Sequence, residues 1–260
     1  MMYITIMTAT PKIHRPTATT LLALAALAVI AGGCGKTAER KDAAPVADTV
    51  QTAAAAASTD IVSGTFTDSR DGKTYRTVGI GKLTWMAENL NFETEKSSCY
   101  DNADSNCTKY GRLYNWNDAM TACPAGWRVP SDEDWDCLAL AVGGQRVEHG
   151  YVGYYWKFAG KKLKSTTGWN DCGCEDDNGI PISGNGTDDF VFSALPGGGG
   201  YGGSFYGAGS LGDWWSATEG GASDAWSWSM NSDDDYVGRS NSGKTGLLSL
   251  RCVRDFAAPQ

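Results

Sequence analysis

The chain has 260 residues, room for a leader and one domain of about 200 residues or at most two small ones, so a large multidomain assembly is excluded. Its 22 Lys and Arg against 30 Asp and Glu give a net charge of −8, and the basic residues of the first 33 positions, Lys12 and Arg15, lie in a stretch without acids, leaving the remainder more acidic still. Such a surface repels phosphate backbones, so nucleic acid is not an expected partner. Of the two histidines, His14 lies in the leader. His149 alone remains, which excludes multi-histidine metal sites and leaves a histidine-dependent triad one candidate.

Residues 1–20 are polar, residues 21–31 (LLALAALAVIA) are an unbroken apolar run, and Gly32, Gly33 and Cys34 follow. The run is shorter than the roughly 20 apolar residues of a membrane span and has a signal-peptide layout. A small-residue run ending at Cys resembles the bacterial lipoprotein signal, with Ala31 at the position where Leu is commonest. The resemblance implies a signal peptide over 1–33 and a lipid on Cys34, holding the protein to the outer membrane or cell surface without a transmembrane helix. The alternative is release as a periplasmic or secreted protein. Residues 34–60 carry no aromatics and no periodic apolar positions. They read as a disordered tether, because they bury too little surface to offset the entropy of ordering.

All ten Trp fall after residue 84, and residues 61–255 read as one domain, with 256–260 as a tail. Thr65–Thr67 and Thr74–Ile80 read as strands around Asp71-Gly72, a type I′ hairpin signal, and a second turn over Gly79–Lys82 leads to a strand at Thr84–Met86. Asn115–Cys123 starts on an Asn cap and ends before Pro124. Ser131-Asp132-Glu133-Asp134 is a capping box opening a helix to about Val142. A third short helix is expected over Lys157–Lys164. Later strands are expected at Phe190–Ala194, Trp214–Thr218, Ala225–Met230, Tyr236–Arg239 and Leu247–Val253. The fold class is α+β, with short strands, two to three short helices, long Gly-rich loops and disulfides.

With Cys34 taken by lipid, seven cysteines remain, and in an exported chain they suit disulfides better than metal. Cys99 with Cys107 closes a small polar loop, and Cys123 with Cys252 ties the first of these helices to the last strand. A third bond would join Cys137 to Cys172 or Cys174, and the odd count leaves one cysteine free or paired between chains. Zinc is disfavoured, since Cys172-Gly173-Cys174 has no matching second Cys pair.

The runs DGKTYRTVGIGKLTWMAENLNF (71–92), SCYDNADSNCTKYGRLYNW (98–116), ACPAGWRVPSDEDW (122–135), AGKKLKSTTGWN (159–170), GNGTDDFVFSALPGG (184–198), WWSATE (214–219) and RCVRD (251–255) resemble, in order, the Fibrobacter succinogenes major paralogous domain family. That family occurs in exported bacterial proteins, many of them lipoproteins, and is distantly similar to the C-type-lectin-like and formylglycine-generating-enzyme fold. The resemblance implies a C-type-lectin-like irregular domain and supports both the Cys123–Cys252 and Cys99–Cys107 pairings. Cys137 and the Cys172–Cys174 insertion depart from the family pattern.

For chemistry, Glu88, Asp118, Glu133, Asp188 and Asp189 offer carboxylates, but no spacing selects a hydrolytic pair, and His149 sits in a polar stretch without a nucleophile motif. An enzyme is therefore not the expected reading. No cofactor or metal is expected: calcium alone has candidate ligands, at residues 175–179 (EDDNG) and Asp233–Asp235, and neither set has the EF-hand spacing. Period-2 alternation over residues 225–230 puts Trp226, Trp228 and Met230 on one face and serines on the other, a pattern that also describes a core strand. Residues 231–244 (NSDDDYVGRSNSGK) mix the aromatic and polar types of recognition loops. The expected ligand residues are Trp228, Tyr236, Arg239 and Asn241. The expected function is a binding or adhesion module for polysaccharide or a surface protein, with an enzyme acting on an envelope polymer, or a purely structural envelope protein, as alternatives.

Overall fold

The computed structural model describes residues 61–150, 153–175 and 179–256. The expected signal peptide, Cys34, the tether and residues 257–260 lie outside them. Three strands open the domain, β1 (Ser63–Thr67), β2 (Thr74–Ile80) and β3 (Leu83–Met86). The register Thr67↔Thr74 leaves six residues between β1 and β2, so the expected two-residue turn at Asp71-Gly72 does not form. A type I′ turn needs positive φ at both central residues, and of the two only Gly72 has it. Buried Asp68 shapes the loop instead, accepting from the Arg70 backbone at 3.0 Å and from its guanidinium at 2.7 Å.

Next come α1 (Asp104–Tyr110), β4 (Leu113–Tyr114), α2 (Trp116–Ala122) and α3 (Asp132–Ala141). Asn115 caps α2, accepting from Asp118 N at 3.0 Å. Ser131 and Asp134 form a reciprocal capping box on α3, as the Ser-x-x-acid spacing predicts. Helix α1, which begins inside the Cys99–Cys107 loop and buries only Cys107 and Tyr110, was not expected. β5 (Gln145–His149) and β6 (Gly153–Lys157) form an unexpected hairpin, followed by α4 (Ala159–Leu163) within the expected third helix. The end of the chain supplies β7 (Gly199–Tyr201), β8 (Ser204–Tyr206), β9 (Leu211–Glu219), β10 (Asp224–Asn231), β11 (Val237–Gly243), β12 (Leu248–Ser249) and β13 (Val253–Asp255).

No strand forms at Phe190–Ala194. Val191 and Ser193 take positive φ (55° and 52°), a costly conformation for a β-branched residue. Asp188 holds the bend, accepting from Ser193 N and Oγ at 2.7 Å each. Fully buried Arg251 clamps it by donating to the carbonyl oxygens of Phe192 and Ser193. The Gly-rich run at 197–203 is a close crossing: a Cβ on Gly198 would lie 2.3 Å from Tyr206 O.

The strands build a sheet of order β1-β2-β3-β13, a seven-stranded sheet of order β4-β12-β9-β10-β11-β6-β5, and the β7-β8 hairpin, an α+β arrangement. Alternating residues of β9 send Trp214 to one face of the large sheet and Trp215 to the other. Trp214 joins Trp135 and Leu138 of α3, Leu163 of α4, Trp228 and Met230 in one core. Trp215 joins Trp116 and Ala119 of α2, Tyr114, Leu248 and Leu250 in the second.

Cys99 is bonded to Cys107 and Cys123 to Cys252. Cys172 and Cys174 are bonded to each other, which corrects the expectation that one of them joins Cys137. Only Gly173 separates them, so their partner is always within reach, whereas Cys137 lies on α3 in a different part of the chain.

Candidate functional site

The β10–β11 hairpin carries all four residues expected to bind ligand, and strand pairing divides them. Trp228 stands opposite Arg239, and Trp226 opposite Asn241, so these four share the face turned to α3. Trp228 is fully buried and its Nε1 donates to Asp132 Oδ1 at 2.9 Å. It is core, which removes it from the ligand-binding set. Arg239 also serves the fold: its Nε donates to Asp132 Oδ2 at 2.6 Å, and its guanidinium carbon lies 3.3 Å from the Trp226 ring centre. The cation thereby occupies the ring face a sugar would need. Asn241 is exposed and packs against Gly220, where a Cβ would come within 2.2 Å of its Oδ1.

Tyr236, three positions before Arg239, lies on the opposite face, where its ring stacks on Tyr155 at 4.5 Å. The turn beside it is tied down, with Lys164 Nζ donating to Asn231 O at 2.8 Å and Asp234 O at 2.7 Å, and Gly160 N to Asp235 O at 3.0 Å. Residues 231–236 are thus an anchored turn, and the mixed composition of 231–244 is explained by β11 alternating between a packed and an open face.

That open face is the candidate site. Asp213 on β9 stands opposite Ser229 on β10, Ser229 opposite Gly238 on β11, and Gly238 opposite Tyr155 on β6. Directly opposed residues share a face, and at about 4.8 Å per strand the row spans about 14 Å. All four residues are half-buried, and Ser240 beside them is exposed. The second core, which covers Trp215 and Ala225, ends before reaching them. The result is a shallow trough with a floor of Ser229 and Gly238. Tyr155 and Tyr236 wall one side, with Lys157 Nζ 5.9 Å from the Tyr236 ring and His149 6.3 Å from the Tyr155 ring. Asp213 stands on the other, within electrostatic reach of 43% exposed Tyr206.

The Asp213 carboxylate has no hydrogen bond or ion pair among the described residues. Burial alone pushes its carboxyl from 3.8 to about 7, and burial and its negative charge together push the Tyr206 hydroxyl up. A carboxylate stripped of water, yet solvent-reachable and unpaired, is a ready acceptor for ligand hydroxyl or ammonium groups. Of the carboxylates weighed from the sequence, Asp118 accepts from Thr94 Oγ1 at 2.7 Å, Glu88 from Arg76 N at 2.7 Å, and Asp188 holds Ser193, while Glu133 and Asp189 are exposed. Asp234 is an intraturn acceptor for Tyr236 N at 2.8 Å. Among the described residues no three or more acids, cysteines or histidines gather at a metal-sized site.

Sequence reasoning missed Asp213 because the strand reading began at Trp214. Extending its alternation by one residue would have placed an acid on the face of Trp215.

No curated protein and no solved structure matches the chain. The model of the Fibrobacter succinogenes major domain matches residues 78–254, a span that runs from β2 to β13 and includes every residue of the trough. With more than half its length so matched, the chain belongs to the Fibrobacter succinogenes major domain family.

Proposed function

We propose that the chain is an exported, lipid-anchored, non-catalytic binding or adhesion module of C-type-lectin-like architecture, with its ligand seated in the trough over Ser229 and Gly238. The observation that carries this reading is Asp213, a desolvated carboxylate with no partner of its own beside a floor of small side chains and walls of tyrosine. Tyrosine rings offer flat, amphipathic contact area at low entropic cost. A polysaccharide would lay sugar faces on Tyr206 and the Tyr155–Tyr236 pair and direct hydroxyls at Asp213. A surface protein would present a polar or basic side chain there instead. The net charge of −8 favours a neutral or cationic ligand. Among the described residues Asp213 is the only acid in its row, whereas glycoside hydrolysis uses two facing carboxylates, so binding is favoured over turnover. Cys34 would hold the module at the outer membrane or cell surface, with residues 34–60 as the tether.

A glycan array and pull-down on insoluble polysaccharides, run with the full chain, test this reading. Retention that is lost in Asp213→Asn and Tyr236→Ala supports it. Retention unchanged in both variants, or turnover of the polymer, overturns it. For the anchor, Cys34→Ala is expected to move the protein from the membrane to the soluble fraction, and unchanged partitioning refutes lipidation.

A further inference from the structure

Cys172 and Cys174 are bonded across a single residue, Gly173, which takes φ +71°. The surrounding turn closes without that bond: Cys172 N donates to Ile182 O at 3.0 Å, Ile182 N to Cys174 O at 3.0 Å, and Glu175 bridges Pro181. A cross-link spanning two positions also restricts the unfolded chain far less than the Cys123–Cys252 bond, which spans 129. The bond therefore does little for the fold. Its sulfurs lie at the surface, Cys174 exposed and Cys172 half-buried. The Cys174 backbone N–H points at Cys172 Sγ from 3.1 Å, where it stabilises negative charge on that sulfur. Ile180 and Ile182, 60% and 43% exposed, lie beside the pair as apolar contact for another chain.

We infer that Cys172-Gly173-Cys174 is a thiol–disulfide exchange site that oxidises cysteine pairs of other polypeptides. A client thiolate attacks Sγ of Cys174, forming a mixed disulfide, and the electrons of the broken S–S bond pass to Cys172 as a thiolate held by the Cys174 N–H. The client's second thiolate then attacks the client sulfur of the mixed disulfide and expels Cys174 as a thiolate. The client leaves with a disulfide, having lost two electrons, and the pair has gained two and takes two protons from solvent. Exchange with a small-molecule or protein disulfide restores the starting bond.

The test uses the full chain in glutathione redox buffer, with free thiols alkylated and located by mass spectrometry, and a refolding assay on reduced ribonuclease A. The Cys172–Cys174 bond is expected to open while Cys123–Cys252 stays closed, and the chain is expected to accelerate ribonuclease reactivation several-fold over Cys172→Ser/Cys174→Ser. A Cys172–Cys174 bond as resistant as Cys123–Cys252, or a double-serine variant that matches the native chain, overturns the inference. So does a bond that opens without any client becoming oxidised. The double-serine variant keeps the backbone clamp, so unchanged circular dichroism separates loss of exchange from loss of fold.

Discussion

Arg239 grips Asp132 across 107 positions, its Nε 2.6 Å and its Nη2 2.5 Å from the same carboxylate oxygen, and the other oxygen accepts from Trp228 Nε1. One carboxylate at the start of α3 thus satisfies both a half-buried cation and a buried indole of the β10–β11 hairpin. Asp132→Ala leaves both donors unpaired and is expected to cost about 3 kcal/mol, read from urea unfolding. Arg239→Lys is not expected to restore native stability, because an ammonium cannot both bind the carboxylate in this orientation and lie flat on Trp226. Equal stability of Asp132→Ala and the native chain would show the knot to be a surface ornament.

Gly238 and Gly160 separate trough filling from fold damage. A Cβ at Gly238 meets only Ser229 Oγ, at 3.3 Å, whereas one at Gly160 would lie 2.4 Å from Tyr236 O. Gly238→Leu is therefore expected to fold with a stability change within about 1 kcal/mol while blocking the floor and abolishing ligand retention. Gly160→Ala is expected to destabilise by about 2 kcal/mol, because backbone must shift to make room. Thermal melts alongside pull-down read the two effects apart, and a Gly238→Leu chain that binds normally would place the ligand elsewhere.

These positions also mark what the sequence made legible. Caps were readable because they are local: Ser131 and Asp134 are three residues apart, and Asn115 needs only Asp118 to act. Strand existence was readable from alternation in Ala225–Met230, and so was the common face of Trp226 and Trp228. What alternation does not give is the identity of the face that remains open, which depends on α3 and α4 covering one side of the large sheet and α2 covering only part of the other. That non-local fact turned Trp228 from a ligand candidate into core and Arg239 into its neighbour on Asp132, and brought Asp213 to Ser229. Phe190–Ala194 has strand composition, but Asp188 and Arg251, the latter 58 positions away from Ser193, bend it into a loop.

The Cys123–Cys252 bond closes a segment with a separation of 129, which in the chain-entropy treatment restrains the unfolded state by about 5 kcal/mol, against about 2.5 kcal/mol for Cys99–Cys107 with a separation of 8. Cys123→Ala/Cys252→Ala is accordingly expected to lose about twice as much unfolding free energy as Cys99→Ala/Cys107→Ala. Comparing the two variants by urea unfolding checks the ratio. A reversed order would mean that the α1 loop is held together in the unfolded chain in a way its short span does not predict.

Asp213 ties stability to the trough. Its carboxyl titrates at about 7 in the folded chain against 3.8 ordinarily, so between those values the folded state keeps a proton that the unfolded state has released. Stability then falls as pH rises through that window, and above it the full cost of the buried charge is borne. Asp213→Asn removes that cost while conserving shape. The variant is expected to be more stable than the native chain at pH 8 by on the order of 2 kcal/mol, discounted for the partial exposure of the group, and to show no gain at pH 4. The same variant is expected to lose ligand retention. A residue that weakens the fold at neutral pH and is needed for binding is the signature of a site whose energy is held in reserve for a partner. Urea midpoints across the pH range, set beside the pull-down, decide it: if Asp213→Asn is no more stable at pH 8 than the native chain, the carboxylate is already satisfied and the trough has lost its reason to bind.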